Sequence, residues 1–310
     1  MVGKGPAMPM DAKKYEQIKH KPGFIAALDQ SGGSTPGALR QYGVPETAYQ
    51  SDAEMFALVH EMRVRIISSP AFTGAKVIGT ILFEMTMDGQ AHGKPVPAYL
   101  WEDRGVVPLL KVDKGLEALA DGVNLMKPIP GLDALLERAV GLGVFGTKMR
   151  STISNASKTG IQAIVDQQFA FGAQIAKHGL VPILEPEVSI KAPDKGDAEN
   201  LLLDALLRGA DAWSADTPFM VKVTIPSVDD LYAPLIAHAN VARVVALSGG
   251  YSQAEACSLL AHDHDMIASF SRALLEGLTR DQSDAEFDET LKRSIDAIYQ
   301  ASTHKTTVRA

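Results

Sequence analysis

Lys222 lies in the run Phe219-Met220-Val221-Lys222-Val223-Thr224-Ile225-Pro226, where a cation interrupts residues otherwise suited to a buried strand. Burying an ammonium carries a large desolvation cost, so such a lysine is paired, displaced to the strand end, or held partly as the neutral amine. The neutral amine is a nucleophile that adds to carbonyl carbons and forms Schiff bases. Taken alone, a snorkelling or salt-bridged lysine is the simpler explanation, because lysine commonly buries only its stem.

Other chemistry-bearing residues follow the same pattern of an apolar run ending in charge. Gly146-Thr147-Lys148-Met149-Arg150 supplies two cations, and Pro182-Ile183-Leu184-Glu185-Pro186-Glu187 supplies two carboxylates on one strand face unless Pro186 turns the chain. A like charge at Lys148 and burial would both favour the neutral amine of Lys222. The alternative is that Lys148 and Arg150 pair with Glu185 and Glu187 as structural ion pairs. Ser248-Gly249-Gly250 offers a hydroxyl and unshielded backbone amides suited to phosphate, and Ser271-Arg272 adds a guanidinium able to grip phosphate with two hydrogen bonds. Asp29-Gln30-Ser31-Gly32-Gly33-Ser34 repeats the theme and suggests a second phosphate end. Glycine turns, helix caps and an exposed arginine are the ordinary readings of these loops taken singly.

These residues need elements to bring them together. Short β-favouring runs at 23–28, 77–83, 106–112, 144–148, 180–185, 220–225, 243–247 and 266–270 alternate with segments of helical spacing at 52–67, 115–121 with 131–141, 160–178, 198–208, 227–239, 252–262 and 284–301. Eight such units predict an α/β chain folded as a single-domain (β/α)8 TIM barrel, with 1–22 as an N-terminal helical extension and 23–310 as the barrel with a C-terminal helix and tail. An open doubly wound sheet is the structural alternative, but no Gly-x-Gly-x-x-Gly turn opens its first unit. In a closed barrel the carboxyl ends of the strands form one ring. Asp29, Lys111, Asp113, Lys148, Arg150, Glu185, Glu187, Lys222, Ser248 and Arg272 would then converge.

Composition narrows the chemistry further. A net charge of −7 argues against a general nucleic-acid surface, though not against a local cationic pocket. Cys257 is the one cysteine, so an intrachain disulfide and Cys-rich metal sites are excluded and a reducing compartment fits. His92, His178, His238, His262 and His264 show no zinc-ligand spacing. With no export signal and no apolar run of spanning length, the expected setting is cytoplasmic, without membrane association.

The ordered segments around Asp29, Lys111, Lys148, Glu185, Lys222, Ser248 and Ser271 resemble class I fructose-bisphosphate aldolase over nearly the whole chain, most closely its shorter bacterial branch. The resemblance implies reversible cleavage of fructose 1,6-bisphosphate to dihydroxyacetone phosphate and glyceraldehyde 3-phosphate, in glycolysis and gluconeogenesis, with no metal and no cofactor beyond a covalent Schiff base on Lys222. It makes Glu185 the main proton-transfer residue with Glu187 beside it, sets Asp29 near substrate hydroxyls and places Lys148 beside the reacting centre. Ser248, Gly249, Gly250, Ser271 and Arg272 match the phosphate grip near the ketone; Ser31, Ser34, Lys111 and Arg150 match the other phosphate end. Partners are expected to be small sugar phosphates, with self-association into a homo-oligomer left open.

Two departures bear on this comparison. The chain finishes Thr306-Thr307-Val308-Arg309-Ala310 without the terminal tyrosine of the animal enzymes, and Gln30 stands where that branch carries glutamate. Another Schiff-base lyase for a different ketose phosphate is the nearest competing reading. A non-catalytic phosphosugar sensor is the competitor of a different class.

Overall fold

The computed structural model describes residues 10–31 and 35–306. Eight parallel strands follow one another around a nearly closed barrel: β1 Phe24–Leu28, β2 Val77–Leu82, β3 Val107–Lys111, β4 Gly146–Ile153, β5 Val181–Val188, β6 Phe219–Thr224, β7 Val241–Leu247 and β8 Ile267–Ala268. Strand β8 pairs with β7, and the Ala27 amide donates to the Phe270 carbonyl at 3.0 Å, returning the sheet to β1. All positions of β1, β2 and β6 are buried. The sequence pattern explains this: helices cover the outer face and side chains fill the inner one, so neither face needs polar residues.

Alternation along each strand separates two cores. Ile25, Ala27, Leu109, Val181, Ile183, Met220 and Val245 form the cluster inside the barrel, whereas Phe24, Leu28, Leu110, Leu184, Val221 and Val223 join the larger shell against the helices. Following the inward parity two residues on leads from Ala27 to Asp29, from Leu109 to Lys111, from Ile183 to Glu185 and from Met220 to Lys222. The apolar interior therefore becomes a charged layer at the carboxyl ends of the strands.

The opposite end is closed by the helix Ala12–His20. Its N-cap Asp11 accepts from the Lys13 and Lys14 amides, and fully buried Ile18 joins the interior cluster. Gln17 donates to the Ile78 and Gly105 carbonyls at 2.8 and 2.7 Å. Arg243 donates to the carbonyls of Ile18, Lys19 and Lys21 at 2.9, 3.0 and 3.2 Å, satisfying acceptors the helix end leaves open. Burial pushes the Arg243 guanidinium down to about 10.

Several expected helices hold with small shifts, including Asp52–Ser68, Lys158–Ala176, Lys195–Asp211 and Asp284–Thr303. Two do not. Segment 115–121 is irregular, bridged Leu116 to Met126 and Ala120 to Val123, because Gly115, Asp121 and Gly122 all have positive φ. Segment 227–239 is helical only over Ala233–Ile236; Asp230 at φ 59° and Pro234 shorten it.

Because Ile18 plugs the barrel floor, Ile18→Ala is expected to lose about 2–5 kcal/mol of stability. A urea midpoint equal to the unsubstituted protein's would show that the floor does not depend on this contact.

Candidate active site

The inward parity of four strands builds a chain of alternating charge. Lys148 Nζ lies 2.6 Å from Asp29 Oδ2 and 2.8 Å from Glu185 Oε2, and Lys222 Nζ lies 3.1 Å from Glu185 Oε1. All four residues are buried; Lys148 is 2% and Lys222 4% exposed. Burial alone would neutralise Asp29 and Glu185, but the nearby ammoniums of Lys148 and Lys222 outweigh it and hold both carboxyls below their usual range. Burial likewise disfavours the Lys148 cation, and Asp29, Glu185 and Asp113 more than compensate, raising its pKa. Rather than meeting Lys222 as a bare like charge, Lys148 is separated from it by the Glu185 carboxylate.

Arg150 and Glu187 form a second pair above the first, Nε to Oε2 at 2.6 Å, and that pairing holds the guanidinium protonated against its burial. Thus the expected ion pairing and the expected convergence both hold in one arrangement. Pro186 does not turn the chain. Odd-numbered amides of β5 point to β4, as Val181 and Ser189 do, so the missing Pro186 N–H faces the β6 side. There the ladder covers only Ile183 and Leu184. The proline removes no donor the sheet needs, and Glu185 and Glu187 keep the same face.

These groups open into a cleft of about 580 Å³, lined also by Ser31, Lys111, Asp113, Ser248, Gly249, Ser271 and Arg272. Gly249 has φ 62°, and a Cβ there would come within 2.6 Å of the Ile190 side chain. A Cβ on Gly250 would lie 3.7 Å from an Arg272 terminal nitrogen, so the guanidinium stands beside bare backbone. That combination suits a phosphate oxyanion. In the same cleft, Lys111 donates to the Asp113 carboxylate and carbonyl at 2.7 and 2.8 Å. Ser34, with Gly32 and Gly33, lies outside the described residues.

Several residues at the site had no role from sequence. Asp113 anchors Lys111, Gln30 donates to Ser271 Oγ at 2.6 Å, and Arg63 is a fully buried cation on Asp52–Ser68 that donates to the Gln30 carbonyl. Arg63 carried a legible signal: it interrupts the buried stripe Val59, Arg63, Ile67 as Lys222 interrupts its strand. Among the described residues no group of three or more His, Cys, Asp or Glu could hold a metal ion. No helix among them is long and apolar enough to cross a membrane.

Comparison with known proteins gives concordant matches. The family model for fructose-bisphosphate aldolase class-I matches residues 23–197. A fructose-bisphosphate aldolase class 1 of Porphyromonas gingivalis is 55% identical over 293 residues, covering 94% of this chain and 99% of its own. Its counterpart in Synechocystis sp. is 56% identical over 290 residues, covering 94% and 97%. In fold, the chain resembles a Plasmodium falciparum fructose-bisphosphate aldolase solved with TRAP and a small-molecule inhibitor, at a TM-score of 0.73 and 19% identity, over 97% of this chain and 99% of that one.

The charge chain gives a signed pH dependence. Asp29 and Glu185, with lowered folded pKa, stabilise fully above about pH 4 and lose that contribution as pH falls through their folded values; Lys148, raised, stabilises below about pH 10 and loses it as pH rises through its own. Lys148→Met strands two buried carboxylates and is expected to lose about 3–5 kcal/mol at pH 7. The loss should narrow toward pH 4 as the variant's carboxyls take up protons. Denaturant titrations showing a pH-independent difference would contradict this account.

Proposed function

The chain belongs to the class I fructose-bisphosphate aldolase family, and from that premise we propose that Lys222 is the amine that forms the Schiff base. The reaction of the class is the reversible cleavage of fructose 1,6-bisphosphate into dihydroxyacetone phosphate and glyceraldehyde 3-phosphate. One observation carries the assignment: the Lys222 amine faces the cleft 3.1 Å from an ionised, buried Glu185. Lys148 also lines the cleft and lies 2.8 Å from Glu185, but unlike Lys222 it is held by a second carboxylate, Asp29. Lys148 is committed to two carboxylates and acts as the cation that keeps them ionised.

Glu185 takes a proton from the Lys222 ammonium, and the freed amine adds to the C2 ketone. Glu185 relays protons while the carbinolamine expels water, leaving an iminium. The C3–C4 bond then breaks with its electrons moving toward the iminium nitrogen, and an inward carboxylate takes the C4 hydroxyl proton. Asp29, which lines the cleft with Glu185 and Glu187, is assigned to the substrate hydroxyls. Glyceraldehyde 3-phosphate leaves; the enamine is protonated at C3 and hydrolysed to dihydroxyacetone phosphate and free Lys222. The iminium serves as electron sink, so the scheme has no step that calls for a metal or a separate cofactor.

Ser248, Gly249, Gly250, Ser271 and Arg272 seat the phosphate near the ketone. Ser31, Ser34, Lys111 and Arg150 serve the other phosphate. Two candidate anion grips in the cleft that Lys222 lines support a bisphosphate over a monophosphate. We further read 1–22 as an N-terminal helical extension, whose helix Ala12–His20 closes the floor of a 23–310 barrel, and a cytoplasmic setting as the one that suits a single half-buried cysteine.

Borohydride reduction in the presence of fructose 1,6-bisphosphate or dihydroxyacetone phosphate, followed by peptide mapping, should place a reduced triose phosphate adduct on Lys222. Cleavage should be faster with fructose 1,6-bisphosphate than with fructose 1-phosphate or tagatose 1,6-bisphosphate. An unmodified Lys222 together with turnover abolished by a chelator would reject the mechanism.

A further inference from the structure

The seam where β8 returns to β1 carries one polar relay. Arg63 is 1% exposed and donates through Nη1 to Thr86 Oγ1 at 2.8 Å and through Nη2 to the Gln30 carbonyl, while the same nitrogen faces Gln30 Oε1 at 3.5 Å. Gln30 Nε2 in turn donates to Ser271 Oγ at 2.6 Å. A guanidinium has donors only, so the amide oxygen of Gln30 turns toward Arg63 and its NH2 toward Ser271. A serine oxygen that receives an N–H keeps its own proton free to donate, and phosphate oxygens are acceptors. The relay therefore has a direction, and Arg63 sets it.

We propose that Gln30, oriented by Arg63, is a positioning residue that presents the Ser271 hydroxyl as a donor to the ketone-end phosphate and thereby favours phosphorylated over unphosphorylated ketoses. The inference rests on the assignment of Ser271 to that phosphate. It makes a distinctive statement about charge at position 30. Glutamate there can only accept, so it takes the Ser271 proton for itself and adds a negative charge near the phosphate. The same carboxylate gives buried Arg63 an ion-pair partner. Stability and phosphate affinity then move in opposite directions.

The test is borohydride trapping on Lys222 with dihydroxyacetone phosphate and, in parallel, with unphosphorylated dihydroxyacetone, in Gln30→Ala, Gln30→Glu, Ser271→Ala and the double variant Gln30→Ala/Ser271→Ala. Dihydroxyacetone phosphate should bind about tenfold more weakly in Gln30→Ala and weaker still in Gln30→Glu, the size expected for a hydrogen bond to a charged group. Dihydroxyacetone should change by less than about twofold, Gln30→Glu should melt no lower than the unsubstituted protein, and Gln30→Ala should add nothing to Ser271→Ala. Equal weakening for both ketones, or multiplying effects in the double variant, would overturn the relay while leaving the phosphate site intact. Ser271→Ala without effect on dihydroxyacetone phosphate would instead remove the phosphate assignment itself, and the relay with it.

Discussion

Lys148 is the residue on which the rest of the site depends. It lies between Asp29 and Glu185, within 3 Å of each, and all three are buried. Without the central cation, two carboxylates in a low-dielectric interior would take up protons, and Glu185 would meet Lys222 as a neutral acid. With it, an ionised Glu185 stands 3.1 Å from Lys222 in the barrel interior. The ordering is geometric as well as electrostatic, since the four charges come from β1, β4, β5 and β6 and fix those strands relative to one another.

A charged layer of this kind needs a rigid frame. Inward side chains below it are apolar, from Ile25 and Ala27 through Ile183 and Met220 to Val245, and the floor is sealed by Ile18 and Arg243. Water is thereby kept to the upper end, where the cleft opens. The rim is assembled differently: it joins the strand-end cations Lys111 and Arg150 to loop residues, held by local devices such as the left-handed Gly249 over Ile190 and the contact of Lys111 with Asp113. A stiff charged base carried by strands thus lies beneath a rim of bare backbone amides and long cations.

Buried cations were the most legible part of this site. Lys222 and Lys148 each break an apolar strand, and a charge in such a run demands either a partner or a task; here both share a partner in Glu185. Arg63 breaks a helical stripe in the same manner, yet its partners, Gln30 and Thr86, lie 33 and 23 residues away and cannot be read from spacing. Pro186 misleads locally for a similar reason. Whether a proline ends a strand depends on which side its missing N–H faces, and that is settled by how far the neighbouring strand runs. The irregular stretches at 115–121 and 227–239 departed from expectation because helical spacing competes with turn residues whose backbone angles only the folded chain discloses.

By itself, the amino-acid sequence determined the number and order of the strand-helix units, the parity that sends Asp29, Lys148, Glu185 and Lys222 to one face, and the glycine and serine content of the rim loops. Those are local properties of the chain: side-chain alternation, hydrophobic period and turn chemistry. Only the tertiary structure decided that Glu185 stands between the two lysines, that Arg150 pairs with Glu187, and that Gln30 reaches Ser271 across the seam. Barrel closure brings strand ends from distant segments within 3 Å of one another, and which charge lies beside which follows from strand stagger around the ring, a quantity that no single stretch of sequence contains.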